Sequence, residues 1–131
     1  MIVEDPVFLT LGEVIEIHRD QIERYGGDPA LRDLGLLQSA MAMPAAGLGG
    51  RYLHTDLFEM AAAYLFHITQ NHPFVDGNKR TGAVASLVFL FLNDVELEAD
   101  DEEFERIVLG VAQGTIDKAA VAEFFRKNSR Y

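Results

Sequence analysis

The chain has 131 residues, of which 49% are hydrophobic and 24% charged; this balance excludes a disordered chain and predicts a single domain spanning residues 1–131. It contains no cysteine, which excludes a disulfide scaffold, a thiol nucleophile and a thiolate metal site. With 11 basic and 21 acidic side chains the formal net charge is −10, so we expect no direct nucleic-acid partner. Met1–Pro6 lacks a targeting pattern and the longest apolar run, Ala83–Leu92, is too short for a bilayer, so we expect a cytoplasmic protein that does not contact a membrane.

Apolar residues recur at helical spacing along the chain and predict an all-α domain of about six helices, without β-strand alternation of useful length. Thr10 and Glu13 form a capping-box pattern at the start of the first helix, which the glycines and proline of Tyr25–Pro29 end. A short second helix is expected over Leu34–Met43. The stretch between Ala45 and Leu53, which contains Gly47, Gly49 and Gly50, is expected to be a mobile loop.

The second half of the chain predicts four more helices. Asp56 can cap the third helix, which must end before Pro73 because proline disfavours helical geometry in the preceding residue. Asn78 is a natural N-cap for a fourth helix reaching about Leu92, and its apolar residues on all sides predict the central, buried helix. The last two helices are expected at Asp100–Val111 and Thr115–Lys127.

The start of the fourth helix carries the residues most indicative of chemistry. A helix N-terminus presents unpaired N–H groups and a partial positive charge, which together bind anions. Gly77 would let a ligand approach the backbone, and Lys79 and Arg80 add two cations in the first turn. Because cations there oppose the helix dipole, the pattern favours a bound anion, and phosphate is the anion that Arg and Lys bind best.

A candidate base and a candidate metal ligand stand beside this anion site. His72 is a candidate general base, and Asp76 is a hard oxygen ligand of the kind that holds Mg²⁺ together with substrate phosphates. A base, a magnesium ligand and a phosphate cradle within nine residues indicate phosphoryl or nucleotidyl transfer. The other histidines, His18, His54 and His67, lack metal-ligand spacing, and structural roles are expected for them.

This segment also resembles the signature of the Fic/Doc superfamily, which begins His-Pro-Phe and continues through an acid, Gly-Asn and Arg. The matching residues here are His72, Pro73, Phe74, Asp76, Gly77, Asn78 and Arg80. Further matches to the death-on-curing (Doc) branch are Ile17-His18, Tyr25-Gly26-Gly27, Leu31-Arg32-Asp33 and Gly35-Leu36-Leu37. The resemblance implies an all-helical Fic fold and a toxin restrained by an antitoxin encoded beside it.

Three positions bear on the branch. Adenylylating Fic enzymes typically carry Gly after the Asn and a second Arg three residues after the first, where this chain has Lys79 and Ala83. The Doc branch carries Asn-Lys-Arg, and its chemistry is phosphorylation of elongation factor Tu with the nucleotide bound in the reverse sense. Gly77 departs from the Doc branch, which has Ala there, and agrees with the Fic form, so the nucleotide orientation stays open.

The resemblance implies a role for each motif residue. His72 would take the proton from a target Ser or Thr hydroxyl, and Asp76 would hold the Mg²⁺ of Mg-ATP. Asn78 and the amides after Gly77 would form the anion hole, while Lys79 and Arg80 would neutralise charge in the transition state.

Three phenylalanines and two segments outside this chemistry receive roles as well. Phe74 would anchor the motif loop in the core, where Phe89 and Phe91 are also expected. Gly47–Leu53 lies where the family has its target-docking flap. The acidic cluster Asp94–Glu105 is expected to be a helix start and a solvated face, able to attract a basic partner.

The leading hypothesis is a Doc-like toxin that transfers a phosphoryl group from Mg-ATP to a protein hydroxyl, with a translation factor such as elongation factor Tu as the target. The alternatives are an adenylyltransferase of the Fic type and a non-catalytic module that binds a nucleotide or a partner. No inhibitory motif of the Ser/Thr-x-x-x-Glu-Gly/Asn type is visible, so the resemblance implies control by a separate, Phd-like antitoxin.

Overall fold

The computed structural model describes residues 5–131 and contains six helices and four very short strands in that range. The helices are α1 (Leu11–Tyr25), α2 (Leu34–Ala42), α3 (Leu57–Asn71), α4 (Asn78–Leu92), α5 (Asp101–Gln113) and α6 (Lys118–Lys127). The strands β1 (Gly47–Leu48) and β2 (Arg51–Tyr52) form one antiparallel pair, and β3 (Glu96–Leu97) and β4 (Ser129–Arg130) form another. The predicted all-α class is therefore confirmed.

The sequence predicts neither a targeting segment at Met1–Pro6 nor a membrane-spanning segment. The first four residues of Met1–Pro6, where no targeting pattern is predicted, lie outside the described residues. From residue 5 onward, none of the helices combines the length and the apolar character needed to cross a membrane.

Side-chain caps explain where most helices begin. Thr10 and Glu13 form the predicted capping box: the Glu13 N–H donates to Thr10 Oγ1 at 3.1 Å and the Thr10 N–H donates to Glu13 Oε1 at 2.8 Å. Asp33 and Asp56 cap α2 and α3 in the same way, accepting backbone N–H groups three residues on. Asp117 caps α6, which is why this helix begins at Lys118 rather than at Thr115 as predicted.

The central helix is α3, not α4 as predicted. Helix α3 packs against α2, α4, α5 and α6, and ten of its fifteen residues are buried. Helix α4 packs against α1, α3 and α5 but leaves its C-terminal end open to solvent, where Phe91 is 73% exposed. The predicted core position of Phe91 is therefore wrong, whereas Phe74 and Phe89 are fully buried. The apolar sequence of α4 covers one buried face and one solvent-facing end.

The stretch Gly47–Leu53, which lies in the predicted mobile loop, contains a short hairpin. Gly47 pairs with Tyr52. A Cβ at position 47 would collide with the Arg51 carbonyl oxygen, so only glycine fits there. The Leu53 N–H donates to the Ala46 carbonyl oxygen at 2.8 Å and closes the hairpin. Its side chains remain exposed, Leu48 most of all.

Candidate active site

The loop between α3 and α4 turns sharply at His72. This residue ends α3 in the left-handed conformation, with φ 52° and ψ 53°. Arg32 holds the turn from outside: its Nε donates to the His72 carbonyl oxygen at 2.8 Å and its Nη2 to that of Asn71 at 3.0 Å. The backbone N–H groups of Arg32 and Asp33 both donate to the Pro73 carbonyl oxygen, so the segment before α2 supports the turn.

Phe74 and Asn78 close the loop upon itself. The Phe74 ring is 1% exposed and anchors the loop in the core, as predicted. The buried Asn78 side chain accepts the Phe74 N–H at 3.0 Å and donates to the Phe74 carbonyl oxygen at 2.9 Å. These two bonds satisfy both backbone groups of a residue that water does not reach.

The prediction that Asn78 is the N-cap of α4 is wrong. The N-cap is Gly77, in the left-handed conformation with φ 82°, and no side chain caps this helix end. The Asn78 side chain is committed to Phe74, so the contribution it leaves for an anion hole is its backbone N–H. The amides of the first turn of α4, which precede the bond from Thr81 N–H to the Gly77 carbonyl oxygen, have no intrahelical acceptor.

Two features favour glycine at position 77. Its φ of 82° strains any residue with a Cβ, and a Cβ there would lie 3.2 Å from Ile22 Cδ1, which is closer than side chains usually pack. Helix α1 thus packs closely against Gly77 and fixes the position of the first amides of α4.

Asp76 is held from both sides while its carboxylate remains exposed. Its Oδ2 accepts the Asp28 N–H at 2.7 Å, and its backbone carbonyl oxygen accepts a hydrogen bond from His18 Nε2 at 2.8 Å. The buried His18 ring also stacks on Phe74, with 3.7 Å between ring centroids and 6° between planes. His18 therefore has the structural role expected for it, and its ring contacts the backbone of the candidate metal ligand, Asp76.

The two cations at the start of α4 lie in different surroundings. Lys79 is exposed and free to reach a ligand. The Arg80 guanidinium donates from Nη2 to the Gly26 carbonyl oxygen at 3.1 Å and lies over the Tyr25 ring, 5.3 Å from its centroid. The loop after α1 therefore sets the direction of Arg80.

These residues surround a cavity of about 600 Å³, large enough for a nucleotide. It is lined by Thr69, His72, Val75, Asp76, Gly77, Asn78, Lys79, Arg80 and Ala112. Six of the seven predicted site residues thus line one cavity, and the seventh, Phe74, lies behind it. Within residues 5–131 no three His, Cys, Asp or Glu side chains group as a metal site, so a cation here would depend on Asp76 and on ligand phosphates.

Sequence reasoning missed several residues of this site. Thr69 and Ala112 line the cavity but carry no motif that would identify them. Tyr25, Gly26 and Asp28 contact site residues, and the sequence offered only the family resemblance of the Tyr-Gly-Gly stretch as a signal. The hairpin at Gly47–Leu53 is not among the residues that line this cavity.

A second polar cluster lies apart from the site, between α3 and α6. Lys118 Nζ donates to His67 Nε2 at 3.0 Å, and His54 lies nearby at 6% exposure. Burial lowers the pKa of His67 to about 4, with further contributions from Lys118 and His54. Burial also lowers the pKa of His54, again reinforced by Lys118. In both imidazoles the lowered pKa favours the neutral form.

Comparison with known proteins finds related sequences across this whole region. The family model described as the Fic/DOC family matches residues 8–90, from before α1 into the last turn of α4. A protein named "Protein kinase doc" from Escherichia phage P1 is 36% identical over 115 residues, which cover 88% of this chain and 90% of that protein. A protein named "Toxin Doc" from Mycolicibacterium smegmatis is 45% identical over 76 residues, or 58% of each chain.

Proposed function

The chain belongs to the Fic/Doc family, and we propose that it is a Doc-like toxin that phosphorylates a protein hydroxyl with Mg-ATP. The observation that supports this most directly is the open N-terminus of α4, where uncapped amides, Lys79 and Arg80 meet His72 and Asp76 around one cavity. The names of the two relatives, one a protein kinase and the other a toxin, agree with the proposal.

Each residue of the cavity has a defined task in this reaction. His72 accepts the proton of a target Ser or Thr hydroxyl as its oxygen attacks the γ-phosphorus, and the bond from that phosphorus to the β-phosphate oxygen breaks, releasing ADP. The α4 amides and Lys79 bind the phosphate oxygens, and Arg80 neutralises the charge that moves to them. Mg²⁺, when bound to Asp76 and the phosphates, supplies additional neutralisation of that charge.

The residues present fit Mg-ATP. A single exposed carboxylate beside a helix N-terminus is the usual protein contribution to an Mg²⁺–phosphate site. Asp76 keeps a fixed position through its contact with the Asp28 N–H, and the cavity is open enough to admit a target hydroxyl. We propose a translation factor such as elongation factor Tu as the target, and a Phd-like antitoxin as the partner that restrains the toxin.

An adenylyltransferase reaction is the second candidate, and Gly77 is the residue that favours it, since the Doc branch has Ala at that position. In that reaction the hydroxyl attacks the α-phosphorus and pyrophosphate leaves. Lys79 and Ala83 stand against it, because they replace the Gly and the second Arg typical of adenylylating enzymes.

ATP labelled separately at the α- and γ-phosphates distinguishes these reactions. The protein and its His72→Ala variant are incubated with Mg²⁺ and either purified elongation factor Tu or a bacterial translation extract. We expect transfer of label from the γ-position only. The rate of transfer should be about 10²–10⁴-fold lower in the variant, which is the usual contribution of a general base. Lys127→Ala, a change of an exposed lysine on α6, is the control and should transfer label normally.

The other outcomes each favour a different function. Label from the α-position would establish the adenylyltransferase. No transfer from either position, together with growth arrest that persists when His72→Ala is expressed in bacteria, would establish a non-catalytic binding module.

A further inference from the structure

An apolar groove with an acidic rim lies at the C-terminal end of α4, away from the cavity described above. Phe91, at 73% exposure, stands at its centre. Two adjoining hollows of about 270 Å³ and about 670 Å³ both contain Phe91, Val95 and Glu96 in their walls. Phe104 and Tyr131 extend the two ends of this surface, which we call the Phe91 groove. Contiguous exposed apolar surface of this kind marks an interaction site more often than an isolated exposed apolar residue does.

The charge around the Phe91 groove is predominantly negative. Residues 94–105 contain eight acidic side chains and neither Lys nor Arg. Asp94, Glu96 and Asp101 belong to the walls of the groove itself. Arg130 is the one basic residue among those described in the walls, and its guanidinium already pairs with Glu96 at 3.3 Å and with Glu98 at 2.8 Å. The groove therefore retains a strong negative potential.

This charge decides between the occupants that an apolar surface could take. A second copy of the chain would bring two acidic rims together, and the net charge of −10 opposes that association. Nucleic acids and anionic lipid surfaces are repelled for the same reason. A segment with apolar side chains on one face and Lys or Arg beside them satisfies both the exposed ring and the rim.

We propose that the Phe91 groove docks a basic amphipathic helical segment of a partner protein. An apolar side chain of that segment packs against Phe91, and its cations face Asp94, Glu96 and Asp101. Phe91 lies thirteen residues along α4 from Asn78, which at 1.5 Å per residue places it about 20 Å from the start of the helix. A partner docked in the groove thus leaves the cavity open, and the inference does not rest on the proposed function.

The test uses a fluorescein-labelled synthetic peptide of 16 residues that carries Lys and Leu at helical spacing. Its binding to wild type and to four variants is measured by fluorescence anisotropy, and the binding surface is mapped by backbone amide shifts. We expect Phe91→Ser to weaken binding by at least about tenfold, as loss of a central anchor does. Asp94→Asn combined with Asp101→Asn should also weaken binding of the peptide. The affinity of this variant should fall less than that of wild type as the salt concentration is raised, because two charges of the rim are gone.

Matched controls separate the groove from general attraction between opposite charges. Leu109→Ser, at a 44% exposed leucine of α5 outside the groove, and Glu16→Gln with Glu23→Gln on α1 should leave binding within about twofold of wild type. A scrambled peptide of identical composition should bind at least about tenfold more weakly. Circular dichroism should show Phe91→Ser folded, since its ring is mostly in water.

Three results would overturn the proposal. One is equal binding by wild type and Phe91→Ser, and another is equal binding of the ordered and scrambled peptides. The third is a dimer of the wild type in sedimentation that Phe91→Ser dissociates, which would show that a second copy covers the groove.

Discussion

His18 donates a hydrogen bond from Nε2 to the backbone carbonyl oxygen of Asp76 at 2.8 Å, and so connects the middle of α1 to the candidate metal ligand. A carbonyl oxygen can only accept, so Nε2 of His18 carries a proton in this contact. The same ring stacks on Phe74. One buried side chain thus supports both the anchor of the motif loop and the residue that faces the cavity.

Replacing His18 separates its two contacts. His18→Phe keeps a stacked ring but loses the hydrogen bond, and we expect the free energy of unfolding to fall by about 1 kcal/mol. His18→Ala loses both and should cost about 2–4 kcal/mol, because a cavity remains in the core. Urea unfolding of both variants measures this. A His18→Phe variant as stable as wild type would show that the hydrogen bond contributes nothing, and equal losses in the two variants would show that the ring contributes nothing.

Asn78 gives a prediction that follows from the corrected position of the helix cap. Asn78→Ala leaves the buried N–H and carbonyl of Phe74 without partners, which costs about 1–3 kcal/mol for each unsatisfied group. Asn78→Asp should be at least as destabilising, because a carboxylate oxygen would replace the amide donor next to the Phe74 carbonyl oxygen. If Asn78 acted as a simple N-cap instead, Asp would substitute well and its urea midpoint would match that of wild type.

The misplaced cap shows where sequence reasoning reached its limit. Local patterns predicted the Thr10 and Asp56 caps because each cap and the amide it accepts are three residues apart in sequence. Asn78 matched the same local preference, but its side chain turns back to Phe74 and Gly77 takes the cap position. A glycine in the left-handed conformation and hydrogen bonds to a buried residue four positions earlier override the propensity of a single residue.

The site itself was predictable to the extent that it is local. The cavity side chains from His72 to Arg80 lie within one continuous stretch, so their proximity could be inferred from the chain alone. The contacts from Tyr25, Asp28 and Arg32 join residues 39 to 55 positions apart, and no spacing rule relates them. Likewise, the apolar residues of α4 could not reveal that Phe91 would face solvent, because that depends on which helices pack there.

The polar cluster between α3 and α6 predicts a pH dependence of stability. The pKa of His67 is lowered to about 4 in the folded chain, mainly by burial, whereas an unfolded histidine titrates near 6.5. Between those two pH values the unfolded chain binds more protons, so the free energy of unfolding should fall as the pH drops from about 6.5 to about 4. His54, whose pKa is also lowered by burial, adds to the same trend.

His67→Gln isolates the contribution of that ring. Urea unfolding at several pH values between 4 and 7 should show that the free energy of unfolding depends less on pH in the variant than in wild type. The dependence that remains comes from His54 and the carboxylates. Identical curves would mean that His67 does not change its protonation on unfolding in this range.

Asp76→Asn tests the metal assignment without removing the contact that positions the side chain. The amide oxygen of Asn can still accept the Asp28 N–H, so we expect a folded variant with an unfolding midpoint near that of wild type. The loss of the carboxylate charge should raise the Mg²⁺ concentration that gives half-maximal label transfer by about 10-fold or more, since Mg²⁺ prefers charged oxygen ligands. Asp20→Asn, an exposed change on α1, is the control, and an unchanged Mg²⁺ requirement in Asp76→Asn would remove Asp76 from the metal site.

Arg80 should contribute to transfer and little to stability. Its charge opposes the dipole at the start of α4, and its contacts with the Gly26 carbonyl oxygen and the Tyr25 ring lie at the surface. We therefore expect Arg80→Ala to abolish label transfer with a change of less than about 1 kcal/mol in the free energy of unfolding. Tyr25→Leu keeps the guanidinium but removes the ring that orients it, and should lower transfer partially. Arg19→Ala, an exposed arginine of α1, is the matched control for both measurements. If Arg80→Ala is unfolded at ambient temperature, or if it transfers label at the wild-type rate, the role assigned to Arg80 is wrong.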